Sequence, residues 1–195
     1  ARLAKHEMNR LESEGKSVQL YFVGRKAEDA LGSAIADRTF ARIEGVQGTN
    51  LGFESAGEIA SKIIAGFEER QFDAVSVIFN RFVNAITQEV THTSLIPVQI
   101  DAQEDEASKS PIFYDYEPEE AEILRALLPR NMSTQIFSVL LESSAAELAA
   151  RMTAMDNATR NAGDMIDRLT LVYNRTRQAN ITKELIEIIS GAEAL

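Results

Sequence analysis

The stretch that decides the fold is the end of the sequence, RMTAMDNATRNAGDMIDRLTLVYNRTRQANITKELIEIISGAEAL (Arg151–Leu195). No proline occurs from Ser133 onward, and apolar residues recur at steps of three and four, which predicts one long α-helix. From Ser133 to Ser190 such a helix would be about 87 Å long at 1.5 Å per residue. A folded domain of roughly 130 residues has a radius of gyration of only about 14 Å, so most of the helix is expected to project from the rest of the chain.

One face of this helix has the pattern of a coiled-coil seam, because small and apolar residues sustain a repeat of about 3.5 residues. Acid-to-arginine pairs four residues apart should support the helix locally: Glu147–Arg151, Asp156–Arg160 and Asp164–Arg168. A left-handed coiled coil is therefore predicted, whose mate is either a second copy or a segment outside this sequence. The seam residues are Leu148, Met152, Met155, Ala158, Ala162, Met165, Leu169, Val172, Thr176 and Ala179.

The seam is interrupted near the end of the chain by the polar stretch NRTRQAN (Asn174–Asn180). The apolar residues beyond it cover an arc of roughly 160° at 100° per residue, which is wider than a two-helix seam requires. A chain terminus is ordinarily frayed and polar unless something holds it. We therefore expect this apolar tip to lie inside a partner. Its residues are Ile181, Leu185, Ile186, Ile188 and Ile189.

The first three quarters of the sequence have the pattern of a small α/β domain. Strands are predicted at Ser17–Gly24 and Asp73–Phe82, and a further long strand over Ala85–Ile100 should pair with its predecessor as a hairpin. A helical pattern over Ala1–Glu14 opens the chain without an N-cap and leads directly into the first strand, as if a segment preceded it. Between the first two strands a helix should begin at Ser55 as N-cap and bury one face, formed by Ile59, Ile63, Ile64 and Phe67.

Two stretches connect this domain to the long helix. The acidic segment DAQEDEASKS (Asp101–Ser110) is predicted to be a solvated loop, because the spacing of its carboxylates is unlike that of a calcium loop. A helix should follow from about Pro118, and Pro129 is expected to end or kink it. The predicted domains are thus an α/β domain over residues 1–128 and a shaft helix over residues 129–195.

Composition narrows the classes of function. A formal net charge of −10 argues against binding to a phosphate backbone, so nucleic acid is not expected as a partner. The sequence has no cysteine, which removes disulfides and thiolate metal sites and fits a reducing compartment. No apolar run is long enough to span a bilayer, so direct membrane insertion is not expected either.

Motifs of enzymes are not found in this sequence. Gly45, Gly48 and Gly52 do not form G-x-G-x-x-G, and there is no phosphate-binding P-loop. His6 and His92 lie far apart and lack the spacing of metal ligands. We therefore predict no catalytic residue, no metal site and no cofactor.

Several motifs resemble the γ subunit of F-type ATP synthases. ITKELIEIISGAEA (Ile181–Ala194) is similar to the C-terminal signature of that family, and ARMTAMDNATRNA (Ala150–Ala162) and LVYNRTRQA (Leu171–Ala179) are similar to its rod. FNRF (Phe79–Phe82) resembles its central domain and YEP (Tyr116–Pro118) its foot. The motifs follow the order of the family and cover nearly the whole sequence, whereas the family's long N-terminal helix and first strand have no counterpart.

The resemblance implies a small Rossmann-like α/β domain and a long C-terminal helix that forms an antiparallel coiled coil with the missing N-terminal helix. In the family the two helices form a shaft inside a hexamer of alternating alpha and beta subunits. The α/β domain forms a foot on the membrane c-ring, beside the epsilon subunit. Ion flow turns ring and shaft together and changes nucleotide affinity at the catalytic sites. The chain would be a non-catalytic, peripheral subunit, on the cytoplasmic face of a bacterial inner membrane or the matrix face of a mitochondrial one.

The resemblance also implies contact residues. Arg177, Gln178, Thr182 and Glu184 match positions that meet the catalytic hexamer, and Leu185, Ile188 and Ile189 match the tip held in its bearing. Tyr114, Tyr116 and Glu117 match positions near the c-ring and the epsilon subunit. The residues by themselves leave a second possibility, a structural coiled-coil homo-oligomer that carries an α/β recognition domain. A nucleotide-binding α/β enzyme is a more distant third.

Overall fold

The structure, a computed structural model, describes residues 1–45, 51–98 and 116–193. It divides into two compact units, Ala1–Leu148 and Ala149–Leu195, which are described separately. The predicted acidic loop at residues 101–110, as well as Tyr114, lies outside the described residues.

The first unit opens with helix α1 (Arg2–Ser13), which confirms the helix predicted at the start of the chain. Strand β1 (Leu20–Val23) follows and is shorter than predicted. Helix α2 (Arg25–Leu31), a 3-10 helix (Ser33–Arg38) and strand β2 (Thr39–Ile43) were not predicted. A small core joins these elements through Met8, Phe22, Leu31 and Ile35.

Strands β1 and β2 pair in parallel, with Tyr21 opposite Ala41 and Val23 opposite Ile43. Parallel strands need a crossover rather than a tight turn, and here α2 and the 3-10 helix supply it. Gly24 and Gly32 flank α2 at φ 86°, a left-handed conformation that glycine adopts without a steric cost.

The second half of this unit contains helix α3 (Phe53–Glu68) and strands β3 (Val75–Phe82) and β4 (Gln88–Ile96). The two strands pair antiparallel, with Phe79 opposite Thr91, which confirms the predicted hairpin. Helix α3 begins after Gly52, so the prediction of Ser55 as N-cap was wrong. Sequence pattern alone misplaced this end because glycine also serves as an N-cap in an extended conformation.

The larger core of the first unit lies between α3, β4 and the long helix. Ala56, Ile59, Ala60 and Ile63 are its buried α3 residues, whereas Phe67, which was predicted on the same face, is exposed. Phe67 lies in the last turn of α3, one residue after the buried Gly66. Leu95 of β4 and Ile136 and Leu140 of the long helix complete the core.

The long helix, α4, runs from Glu120 to Glu193 and contains Pro129. Of the two outcomes expected for Pro129, an end of the helix is contradicted, and a kink stays a prediction. An internal proline costs about 3 kcal/mol through a lost hydrogen bond and a clash.

Of the described residues, Ala149 to Glu193 belong to the second unit and are helical throughout. No helix in the described part of the chain combines the length and apolarity needed to cross a membrane.

Candidate partner-binding surfaces

The predicted seam is an exposed apolar stripe along α4. Met152, Met155 and Leu169 are each exposed, Met155 by 63% of its surface. Ala162 lies between them on the same stripe and is exposed as well. Apolar side chains that repeat along one helix face and meet no other part of their unit mark an interaction surface. The stripe has the composition that a second helix would cover, because its small residues allow a close backbone approach.

Local ion pairs accompany the stripe without covering it. Arg160 Nη2 lies 2.8 Å from Asp156 Oδ2, as the spacing of four residues predicted. Asp164 and Arg168, which were predicted to pair in the same way, form no ion pair within 4.0 Å among the described residues. Both side chains of the observed pair are largely exposed. The ion pair therefore contributes little to the stability of the fold.

In the stretch of α4 from residue 149 to 180, three large exposed apolar residues lie outside the predicted seam. Ile166, Leu171 and Tyr173 expose more than half of their surface. Ile166 and Tyr173 line a shallow groove with Leu169 and Thr170, so the apolar surface extends beside the seam. The signal was present in the sequence as apolar residues off the 3.5-residue repeat, but a search for one repeat does not register them.

The polar belt, Arg177, Gln178, Thr182 and Glu184, lies on α4 and is exposed. Beside it Lys183 Nζ lies 3.8 Å from Glu187 Oε1. Hydrogen-bonding side chains on a rigid helix have their positions fixed by the backbone, so the belt presents charged donors and acceptors at defined spacing. It is suited to polar contacts with loops of a partner.

The apolar tip follows within one turn of the belt. Leu185, Ile188 and Ile189 are exposed, Ile188 by 68%. β-branched residues have a lower helix propensity than leucine and normally occur in helices where packing favours them. The two exposed isoleucines beside Leu185 therefore make this tip a candidate surface for burial by a partner.

A third candidate surface precedes α4. Tyr116 is exposed by 55%, and Glu117 is exposed beside it. Acidic residues continue into the first turn of α4, at Glu120 and Glu122, where they face the positive end of the helix dipole. The combination offers a tyrosine ring and negative charge on one edge of the first unit.

Groups of acidic or histidine side chains that could hold a metal ion are not found among residues 1–45, 51–98 and 116–193. The candidate surfaces themselves consist of apolar and hydrogen-bonding side chains.

Comparison with known proteins identifies the family of the chain. A family model described as ATP synthase matches residues 1–195. The ATP synthase gamma chain of Parvibaculum lavamentivorans is 49% identical over 195 residues, which are 100% of this chain and 66% of that protein. The gamma chain of Acidiphilium cryptum is 50% identical over 197 residues, covering 100% of this chain and 67% of that protein. The chain spans about two thirds of the length of these relatives.

Solved structures share the fold. A chain in the central stalk and c-ring structure of the Tetrahymena thermophila mitochondrial ATP synthase has a TM-score of 0.59 and 29% identity, over 79% of this chain and 66% of that one. A chain of the Euglena gracilis mitochondrial ATP synthase has a TM-score of 0.62 and 22% identity, over 98% and 67%. They have in common with this chain the small α/β region and the long C-terminal helix. The chain belongs to the ATP synthase gamma-chain family.

Proposed function

We propose that this chain is the central rotor subunit of an F-type ATP synthase, in which it couples rotation of the c-ring to conformational changes at the catalytic sites. The observation that carries the proposal is the uncovered apolar stripe and tip of α4 in a chain whose relatives are gamma chains. Such a surface on a long helix is suited to a shaft that other subunits enclose.

The proposed partners follow from the three surfaces. Arg177, Gln178, Thr182 and Glu184 would contact the hexamer of alpha and beta subunits, and the tip would lie in its bearing. Tyr116 and Glu117, with Tyr114, would contact the c-ring and the epsilon subunit. The match to a structure that holds a central stalk and a c-ring supports this assignment. Nucleic acid is not a proposed partner.

The seam of Met152, Met155, Ala162 and Leu169 would pair with an N-terminal helix in an antiparallel coiled coil. Two observations support that pairing. The stripe is exposed, and the relatives are about one and a half times as long as this chain, with 66% of the first one's length matched.

In this proposal the chain performs no chemistry itself. A shaft changes the affinity of a catalytic site only if it contacts the alternative conformations of that site unequally, and polar belt contacts made in some rotational positions supply that difference. Hydrolysis and synthesis then belong to the neighbouring subunits. The subunit would be peripheral, on the cytoplasmic face of a bacterial inner membrane or the matrix face of a mitochondrial one.

Stoichiometry in the native complex tests the proposal. We expect an affinity tag on the full-length subunit to recover one copy of it with alpha, beta, epsilon and c subunits, measured by native mass spectrometry. Recovery of a symmetric assembly that contains only copies of this chain would contradict the rotor function and support the coiled-coil homo-oligomer instead.

A further inference from the structure

One hydrogen bond joins α4 to the β3–β4 hairpin inside the first unit. The backbone N–H of Phe82 donates to Glu142 Oε2 at 2.8 Å, between residues that are 60 positions apart. Phe82 is the last residue of β3, and Glu142 lies two residues beyond Leu140, the last α4 residue of the larger core. The bond is therefore placed where α4 leaves that core.

Apolar packing also joins α4 to this core. Ile136 and Leu140 lie in one buried cluster with residues of α3, and the rings of Phe53 and Phe137 meet edge to face at 5.7 Å. This packing resists rotation about the helix axis through the shape of its close-packed side chains.

The Glu142 contact depends on that rotation through the direction of its hydrogen bond. A side-chain atom on the surface of a helix lies about 5–6 Å from its axis. A turn of roughly 20° about the axis would move the carboxylate by about 2 Å, well beyond hydrogen-bonding distance. A charged acceptor also makes the bond stronger than one between neutral groups. This contact therefore adds a directional restraint on rotation to the one that the apolar packing supplies.

We infer that Glu142 is a positioning residue that fixes the rotational setting of α4 against the β3–β4 hairpin and so limits torsional slip between the α/β domain and the shaft helix. The inference rests on the proposed rotor function. A rotor delivers torque along α4, which is continuous to Glu193, and a bond that opposes rotation about that axis stiffens the connection where torque enters the helix.

The test uses assembled ATP synthase that carries the full-length subunit, as wild type, Glu142→Ala, Glu142→Gln or the control Glu68→Ala. Glu68 is an exposed glutamate of α3, in the same unit. With the catalytic hexamer fixed to glass and stalled by nucleotide, a bead on the c-ring reports angular fluctuations, whose variance measures torsional stiffness. We expect Glu142→Ala to widen the distribution. Glu142→Gln should stay near wild type because its amide oxygen still accepts from Phe82, and Glu68→Ala should match wild type.

The outcomes separate this role from a structural one. Equal angular variance in Glu142→Ala and wild type would overturn the inference, even if the yield of assembled complex fell, because the residue would then act on stability alone. Variance that widens equally in Glu142→Ala, Glu142→Gln and Glu68→Ala would also overturn it. If the wild-type subunit failed to join alpha, beta and c subunits at all, the rotor function itself would be contradicted, and the inference with it.

Discussion

At the scale of single residues, two glycines of α3 have opposite surroundings. A Cβ on Gly57 would meet nothing within 4 Å, whereas a Cβ on Gly66 would lie 2.8 Å from Phe72 Cε1 and 3.2 Å from Phe40 Cζ. The ring of Phe40 packs edge to face on both Tyr21 and Phe72, with centroids 6.3 and 5.7 Å apart. Gly66 is therefore required by this aromatic cluster, and Gly57 is not.

The same substitution should have opposite effects at these two positions. Gly57→Ala should stabilise the full-length subunit by about 1 kcal/mol, since alanine has the higher helix propensity. Gly66→Ala should destabilise it by about 1–3 kcal/mol, because the added methyl forces the rings apart. Urea midpoints measured side by side check both, and a shift of the same sign in both variants would contradict this account of α3.

Tyr21 buries its hydroxyl without a hydrogen-bond partner among the described residues. Burial raises the pKa of Tyr21 above its ordinary value, and the negative charge of Glu58 adds to the rise. Because the pKa of Tyr21 is higher in the folded state than in the unfolded state, protonated Tyr21 favours the folded state over its ionised form, and this contribution to stability is fully present below the unfolded pKa of about 10. The contribution is lost as the pH rises through the folded-state pKa.

We therefore expect Tyr21→Phe to stabilise the subunit by about 1 kcal/mol at neutral pH, because no buried polar group is left unpaired. The variant should also lose less stability than wild type above pH 10 or so. Urea unfolding at several pH values measures both effects, with Tyr173→Phe, at an exposed tyrosine, as the matched control. Identical alkaline behaviour of Tyr21→Phe and wild type would rule out titration of Tyr21 as a source of instability.

At the scale of the element, the end of α4 combines two kinds of surface chemistry. The belt holds Arg177 and Gln178, which bind through hydrogen bonds that form only when a partner group is in place. The tip holds Leu185 and Ile188, which gain free energy through burial at roughly 25 cal/mol per Å². Belt contacts are thus suited to transient coupling, and tip contacts to permanent assembly.

Double variants should separate the two surfaces. Arg177→Ala with Gln178→Ala should leave complex yield unchanged and slow turnover roughly tenfold, the effect of about 1.4 kcal/mol of lost transition-state stabilisation. Leu185→Asp with Ile188→Asp should abolish most assembly, because a buried carboxylate would lack a partner. Native gels give the yield, and ATPase activity per assembled complex gives the turnover. Equal yields for both variants would contradict a buried tip, and unchanged turnover in the first would contradict a contact role for the belt.

At the scale of the whole molecule, the proposed functions lie on different parts of the chain. The residues proposed to meet the catalytic hexamer belong to the second unit, and Tyr116 and Glu117 belong to the first. The first unit is also where the acidic residues at the start of α4 lie. Attachment to the membrane ring and control of catalysis should therefore be separable by mutation.

Tyr116→Ala with Glu117→Lys should weaken attachment to the c-ring and leave ATP hydrolysis by the detached catalytic part within about twofold of wild type, a change of less than 0.5 kcal/mol. The physical reason is that the charge reversal acts on the proposed polar contact of Glu117 and not on the residues proposed to meet the hexamer. Sedimentation of the catalytic part with membranes measures attachment, and ATPase assays of the soluble fraction measure hydrolysis. Collapse of hydrolysis with intact ring binding would mean that the two ends are assigned the wrong way round.

The local pattern of the sequence was sufficient for the elements whose partners are near in the chain. The absence of proline after Ser133 and the spacing of Met152, Met155 and Leu169 predicted a continuous helix with one apolar stripe, and the structure has both. The β3–β4 hairpin was predicted for the same reason, since a short turn joins its strands. Exposure of Leu185 and Ile188 agrees with the predicted tip, whereas the contact roles of the belt, tip and foot stay predictions.

Only the tertiary structure decided the features that depend on residues far apart in the chain. Strand β2 was missed because its half-buried sequence TFARI gains stability from the parallel pairing with β1. Helix α4 continues across Pro129, where the sequence pattern left an end or a kink open. The bond from Phe82 to Glu142 spans 60 positions. The periodicity of a sequence reflects the local preference for helix or strand and shows which face of the element is apolar. It does not show which distant part of the chain covers that face, because this depends on how the whole chain packs.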